Sequence, residues 1–150
     1  MKNLSKNLRK NKGILFGMTL FLLLFAIGTI KAQNADRLVG NWLSEPKDAK
    51  INIYKTEKGT YEGKLWWGVR MYEKDGKTSR IAKNGKAFKD MIILKDFVFE
   101  DGVWTNGTIY DPEEDKTYKC TMKLKDNKLE IRGYVGISLF GRTVIWEKIN

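Results

Sequence analysis

The chain of 150 residues contains no histidine and a single cysteine, Cys120. Without histidine, a histidine-ligated zinc site is excluded, as is hydrolysis in which histidine activates a serine or a cysteine. One cysteine cannot form a disulfide within the chain. Around it, apolar side chains alternate with polar ones at positions 118, 120, 122 and 124. We therefore expect Cys120 to fill the core of a strand rather than to react.

Clustered positive charge and helical periodicity are also missing after residue 32. Residues 1–32 carry six basic and no acidic residues, which leaves 22 basic and 18 acidic residues, a net charge of +4, in the rest of the chain. The lysines of this part are scattered singly, without the basic stripe that nucleic acid binding requires. We expect no nucleic acid partner.

Residues 1–32 have the organisation of a secretory signal peptide. Five basic residues precede the uncharged apolar run 14–30, and the small residue Ala32 follows it. The alternative is an uncleaved membrane anchor, since the run approaches the roughly 20 apolar residues of a membrane span. We expect cleavage near Ala32 and export to the periplasm or the extracellular space, with membrane contact only through this segment if it is not cleaved.

Residues 38–149 consist of short alternating runs separated by polar turns, which indicates about eight antiparallel strands. Closure of such a sheet into a barrel removes its exposed edges. We predict one all-β domain, an antiparallel up-and-down β-barrel, with a two-sheet sandwich as the alternative. The stretch 68–90 is the longest part without a pattern, and it offers no chemistry from which to predict a role.

We expect residues of the first and last predicted strands to close the barrel. Arg142 shares the alternation of Trp146 in the last predicted strand, while Gly40 and Trp42 lie in the first. These strands are neighbours in a closed barrel, so we expect the Arg142 guanidinium to point inward and stack on Trp42. Gly40, Trp42, Arg142 and Trp146 are the predicted closure residues. Arg132 lies on the face of its own strand opposite Ile131, where we expect a surface or structural role rather than a polar ligand clamp.

A Gly-x-Trp in the first strand and an arginine in the last are similar to the closing arrangement of lipocalin-like (calycin) barrels. Over nearly all of residues 38–149 the pattern resembles the bacterial domain-of-unknown-function family 2147. The resemblance rests on GNW at 40–42, INIYK at 51–55, YEGKLW at 61–66, Trp104, GTIYDP at 107–112, KTY at 116–118 and the block from Arg132 to Trp146, RGYVGISLFGRTVIW. It implies an exported lipocalin-like barrel without an established activity. An aspartate and a proline expected within 81–85 are missing, and Asp115 replaces a usual glycine.

The acidic residues could form a calcium site or a pair of catalytic carboxylates, but we favour ordinary surface positions for both sets. The turn 111–115 is rich in carboxylates but lacks the spacing of an EF-hand, so we favour a solvated hairpin turn over a calcium site. A glycosidase pair of Asp111 with Glu62 or Glu130 is disfavoured, because alternation puts both glutamates on the polar faces of their strands. We predict no catalytic residue, metal or cofactor.

The chain has five tryptophans and six tyrosines, which is many for its length. Aromatic side chains either line a ligand cavity or fill the barrel. We predict that Tyr61, Trp67, Trp104 and Tyr118 bind ligand in an exported, non-enzymatic barrel with a small apolar or amphipathic ligand. Trp66 and Trp67 are adjacent, so one of them is expected outside or at a rim. The alternative function is a protein-interaction or structural domain with a filled interior. An interior void would decide between them, and the oligomeric state is not predicted.

Overall fold

The computed structural model describes residues 35–150, so the predicted signal segment, residues 1–32, lies outside the described residues. Eight antiparallel strands follow one another around a closed barrel, and the last pairs with the first. The strands are β1 (Gly40–Leu43), β2 (Ala49–Lys55), β3 (Tyr61–Gly68), β4 (Ile92–Glu100), β5 (Val103–Asp111), β6 (Lys116–Lys125), β7 (Lys128–Tyr134) and β8 (Arg142–Ile149). The predicted up-and-down barrel is confirmed. Within residues 35–150 no helix is long and apolar enough to cross a membrane.

The two ends of the barrel differ in the length of their connections. Short turns form the closed end, at 56–60, 101–102 and 126–127. The open end has the two longest connections, 69–91 and 135–141, together with the turns 44–48 and 112–115. Of the two 3-10 turns, Ser138–Phe140 lies in the open-end connection before β8, and Asp36–Leu38 precedes β1 at the closed end. Because strands alternate in direction, every connection of one parity lies at the same end, and the longer ones therefore surround one mouth.

Side chains fill the half of the barrel nearer the closed end. Alternation along the strands points one side chain in two toward the interior. The large buried side chains there include Trp42, Ile53, Tyr61, Phe97, Trp104, Met122 and Leu129. Two glycines make room for buried side chains. A Cβ on Gly63 would lie 2.7 Å from Cδ1 of Leu94, and a Cβ on Gly107 would overlap the ring of Phe97.

β-Bulges adjust which side chains face inward. Residues 92–94 and 97–99 belong to one strand, β4, in which Asp96 has a φ of 62°. The extra residue lets Leu94 and Phe97, three positions apart, both be fully buried. A second bulge lies at Asn106, which has a φ of 61°, and the register shifts there between Trp104 and Gly107.

The long connection between β3 and β4 packs as an ordered cover. Its backbone is tied together by hydrogen bonds from the N–H of Arg80 to the carbonyl of Met71 and from the N–H of Phe88 to the carbonyl of Arg80, both 2.9 Å. Met71 and Phe88 are buried. The stretch 68–90, for which the sequence predicted no role, therefore contributes apolar side chains to the open end.

Candidate functional site

A cavity of about 740 Å³ opens at the open end, between the tips of β5 to β8 and the β1–β2 turn. We call it the mouth cavity. Its inner wall consists of side chains from four consecutive strands, namely Ile109, Tyr118, Ile131, Val144 and Trp146. Its rim carries Glu45, Asp48, Asp111, Glu114 and Arg142. Ile131 and Trp146 are buried, so they form an apolar floor above the filled half of the barrel.

The other side of the open end is nearly filled. A smaller cavity of about 180 Å³ lies there and shares Asp48, Asp111 and Pro112 with the mouth cavity. Met71 and Phe88 of the long connection line it together with strand residues. The long connection therefore covers the β2–β4 side of the barrel, and the mouth cavity lies on the β5–β8 side.

Two rim carboxylates are held by local hydrogen bonds. Asp48 accepts a hydrogen bond of 2.8 Å from the hydroxyl of Ser44 and pairs with Arg70 at 3.2 Å. Asp111 accepts bonds from the backbone N–H groups of residues 113 and 114, at 2.9 and 3.1 Å. This is the way an aspartate stabilises a turn at its first position. Both carboxylates thus stabilise the local structure of the rim.

The acidic turn 112–115 also binds its own neighbours. Glu114 accepts bonds of 3.1 Å from Lys116 and from the hydroxyl of Tyr118. The Lys116 bond is the main reason that the pKa of Glu114 is lowered, and burial followed by the Glu114 bond raises the pKa of Tyr118. Among the described residues no group of three acidic or cysteine side chains is placed to hold a metal ion.

The predicted contact between Arg142 and Trp42 is wrong, because Lys148 occupies that place. Lys148 Nζ lies 5.4 Å from the centre of the Trp42 ring and donates to the carbonyls of Arg37 and Val39, at 3.1 and 3.2 Å. In the β1–β8 register Trp42 lies opposite Lys148, six residues beyond Arg142. At about 3.3 Å a residue, that separation is about 20 Å. The predicted face of β8 was therefore right, but the position along the barrel was not.

Gly40 and Trp42 complete this closure. Trp42 is fully buried, and its indole N–H donates to the carbonyl of Leu38 at 2.9 Å. Gly40 has a φ of 139°, and a Cβ there would lie 3.1 Å from Cε of Lys148. The glycine therefore lets the lysine stem cross β1 on its way to the tryptophan. Trp146, also predicted as a closure residue, is buried in the floor of the mouth cavity.

Of the four predicted ligand residues, the structure places only Tyr118 in the wall of the mouth cavity. Tyr61 and Trp104 are buried in the filled half and meet edge to face, with ring centres 6.4 Å apart. Among residues 35–150 no acceptor lies within hydrogen-bond distance of the indole N–H of Trp104. Trp67 is paired with Lys50, whose Nζ lies 5.1 Å from its ring centre and 5.5 Å from that of Trp66.

Both rings of the Trp66–Trp67 pair lie on the Lys50 side because the β2–β3 register shifts next to them. Trp66 is 41% exposed, so the expectation that one of the two tryptophans lies outside or at a rim is confirmed. Ile109, Ile131 and Val144 line the mouth cavity but were not predicted as site residues. The alternation in the sequence predicts that these three side chains face inward. Their position near the strand ends at the open end could have predicted that they line the cavity.

Arg132 has the structural role that its alternation allowed. Its guanidinium donates to the carbonyls of Ser138 and Leu139, at 2.7 and 3.0 Å, and to the hydroxyl of Thr143 at 2.9 Å. These bonds hold the β7–β8 connection at the open end. The apolar side chains of this connection are exposed, namely Val135, Ile137, Leu139 and Phe140.

The match to the model of a family described as an uncharacterized protein conserved in bacteria, DUF2147, extends over residues 40–148. The chain belongs to this family. The DUF2147 chain is also similar in structure to protein HP1028 from the human pathogen Helicobacter pylori, which belongs to the lipocalin family. The TM-score is 0.58 and the identity 15%, over 75% of this chain and 83% of that one, so the likeness is one of fold. A comparison with curated proteins finds no significant match.

Cys120 is expected to be unreactive in the folded DUF2147 chain. Burial in the wall raises the pKa of its thiol to about 12 from an ordinary value of 9.0. The thiolate is the reactive form, so alkylation at pH 8 should be slower than in denaturant by on the order of a hundredfold or more. By linkage, the stability from burying this thiol is present below pH 9 and is lost as the pH rises toward 12. Equal alkylation rates with and without denaturant would contradict this placement.

Proposed function

We propose that this chain is an exported, non-enzymatic barrel that binds a small apolar or amphipathic ligand in the mouth cavity. The observation that carries the proposal is a cavity of about 740 Å³ with an apolar floor and a polar, solvent-open rim. Ligand pockets have volumes of about 300–1,000 Å³ and this same division of polarity. Each methylene group that a ligand buries contributes roughly 0.8 kcal/mol to its binding.

Sequence features support the remaining parts of the proposal. The basic and apolar segment 1–32, ending near Ala32, supports export. The absence of histidine and the protonated, buried thiol of Cys120 leave no activated nucleophile of the usual kinds, which supports a binding role over catalysis. The lipocalin-family fold of the similar structure is consistent with binding inside a barrel.

Native mass spectrometry of protein purified from its own host tests this function. We expect wild-type protein to carry a small-molecule adduct and its chain to begin at Gln33. In Val144→Trp a large ring occupies the mouth cavity, and the adduct should be lost. Ile145→Trp is the matched control. Ile145 is the next residue in the strand, its side chain is 40% exposed, and it does not line the cavity. Wild-type protein without an adduct, or an adduct that persists in Val144→Trp, would contradict the proposal.

The exposed β7–β8 connection favours a second candidate function, a protein-interaction domain. Contiguous exposed apolar side chains commonly mark contact surfaces, and Leu139 and Phe140 are 74% and 81% exposed. The same spectra distinguish the candidates. Under this alternative, protein from the host carries a partner chain, and no small-molecule adduct depends on Val144.

A further inference from the structure

Arg142 is the unpaired cation of the mouth cavity. It lines the cavity on the same face of β8 as Val144 and Trp146. Within residues 35–150 its guanidinium forms no hydrogen bond and no ion pair. Its cross-strand neighbour on β7 is Gly133, so no side chain of that residue competes for the space beside it. The Arg142 side chain is exposed, so its five N–H donors face solvent at the polar rim of the pocket.

The acidic side chains of the rim do not satisfy this guanidinium. Asp48 is paired with Arg70, and Glu114 with Lys116. Asp111 accepts two backbone N–H groups. Glu45 receives only a long bond of 3.4 Å, from the N–H of Ile145. The rim acids are thus largely engaged elsewhere, whereas the one arginine that lines the cavity is not.

We infer that Arg142 binds the anionic head group of the ligand, and that the ligand is a single-chain amphiphile with a carboxylate head. This inference rests on the proposed function. The planar fork of arginine matches a carboxylate with two parallel hydrogen bonds. A chain attached to such a head would extend over Val144 to the floor at Trp146. The four rim carboxylates repel a doubly charged phosphate more strongly than a singly charged carboxylate, which favours the carboxylate.

Calorimetric titration with three probes of equal chain length tests the inference. The probes are dodecanoate, dodecanol and dodecylammonium, each below its micelle-forming concentration. Wild-type protein should bind dodecanoate about fivefold more tightly than dodecanol, as expected of a charge pair in a solvent-open site. Dodecylammonium should gain nothing from Arg142, whose charge repels it, and should bind more weakly than dodecanoate.

Arg142→Gln should remove the preference, so that dodecanoate binds no more tightly than dodecanol. Lys119→Gln is the matched control: it changes the charge equally, but Lys119 is exposed and does not line the cavity. It should keep the preference. Arg142 has no partner to lose, so the variant should keep the melting temperature of the wild type.

Two results would overturn the inference while leaving the proposed function intact: dodecanol that binds as tightly as dodecanoate to wild-type protein, or a preference for dodecanoate that persists in Arg142→Gln. Failure of all three probes to bind would overturn the proposed function itself.

Discussion

Replacement of Trp42 with alanine is expected to destabilise the barrel by about 3–5 kcal/mol, the usual cost of removing a fully buried aromatic side chain. The ring is fully buried, its N–H bonds the carbonyl of Leu38, and Lys148 lies over its face. All three interactions are lost together at the strand pair that closes the sheet. Urea unfolding of wild-type and variant protein measures the difference.

Lys148 and Arg142 give a matched comparison for the same closure. Lys148→Met should lower the free energy of unfolding by about 0.5–1 kcal/mol, as expected for an exposed cation–π contact. Arg142→Gln should leave it unchanged, since the structure gives this side chain no partner within residues 35–150. If Arg142→Gln is the more destabilising of the two, the closure is made by Arg142 after all.

Gly107→Ala is expected to lower the free energy of unfolding by about 1–3 kcal/mol through overpacking. Its Cβ would overlap the ring of Phe97, which is fully buried on the neighbouring strand. The ring cannot withdraw without disturbing the filled half of the barrel. Thermal or urea unfolding of the variant tests this expectation.

Gly133→Ala is the control for this substitution. In the sheet, Gly107 pairs with Cys120, which pairs in turn with Gly133, so both glycines lie in one row. A Cβ on Gly133 would meet Cγ2 of Ile109 at 3.5 Å, an ordinary contact. Gly133→Ala should therefore be near neutral, and Phe97→Leu should rescue part of the loss in Gly107→Ala. Equal losses from the two glycine variants would show that the Phe97 contact is not the cause.

Alternation in the sequence was sufficient to predict the barrel and the inward face of each regular strand. It did not give the position of a residue along the barrel axis. Arg142 and Lys148 share one face of β8, and only the register with β1 brings Lys148 to Trp42. Register depends on pairing between residues about a hundred positions apart, which a local pattern does not contain.

Bulges and volume account for the errors in the predicted site. The register shift beside Trp66 reverses the alternation that would have placed Trp67 in the interior. Tyr61 and Trp104 face inward as the pattern required, but they lie at the depth where the barrel is filled. An inward side chain lines a cavity only where the surrounding side chains leave space inside the barrel unfilled. The sequence could therefore identify inward positions such as Tyr118 but could not locate the cavity.

Backbone NMR of the protein titrated with dodecanol tests the central claim most directly. The largest shift changes are expected at the wall of the mouth cavity, at Ile109, Ile131, Val144 and Trp146. Residues of the filled half, such as Ile53 and Leu129, should change little. Changes confined to the exposed β7–β8 connection, or none at saturating dodecanol, would contradict a ligand site inside the open end of this barrel.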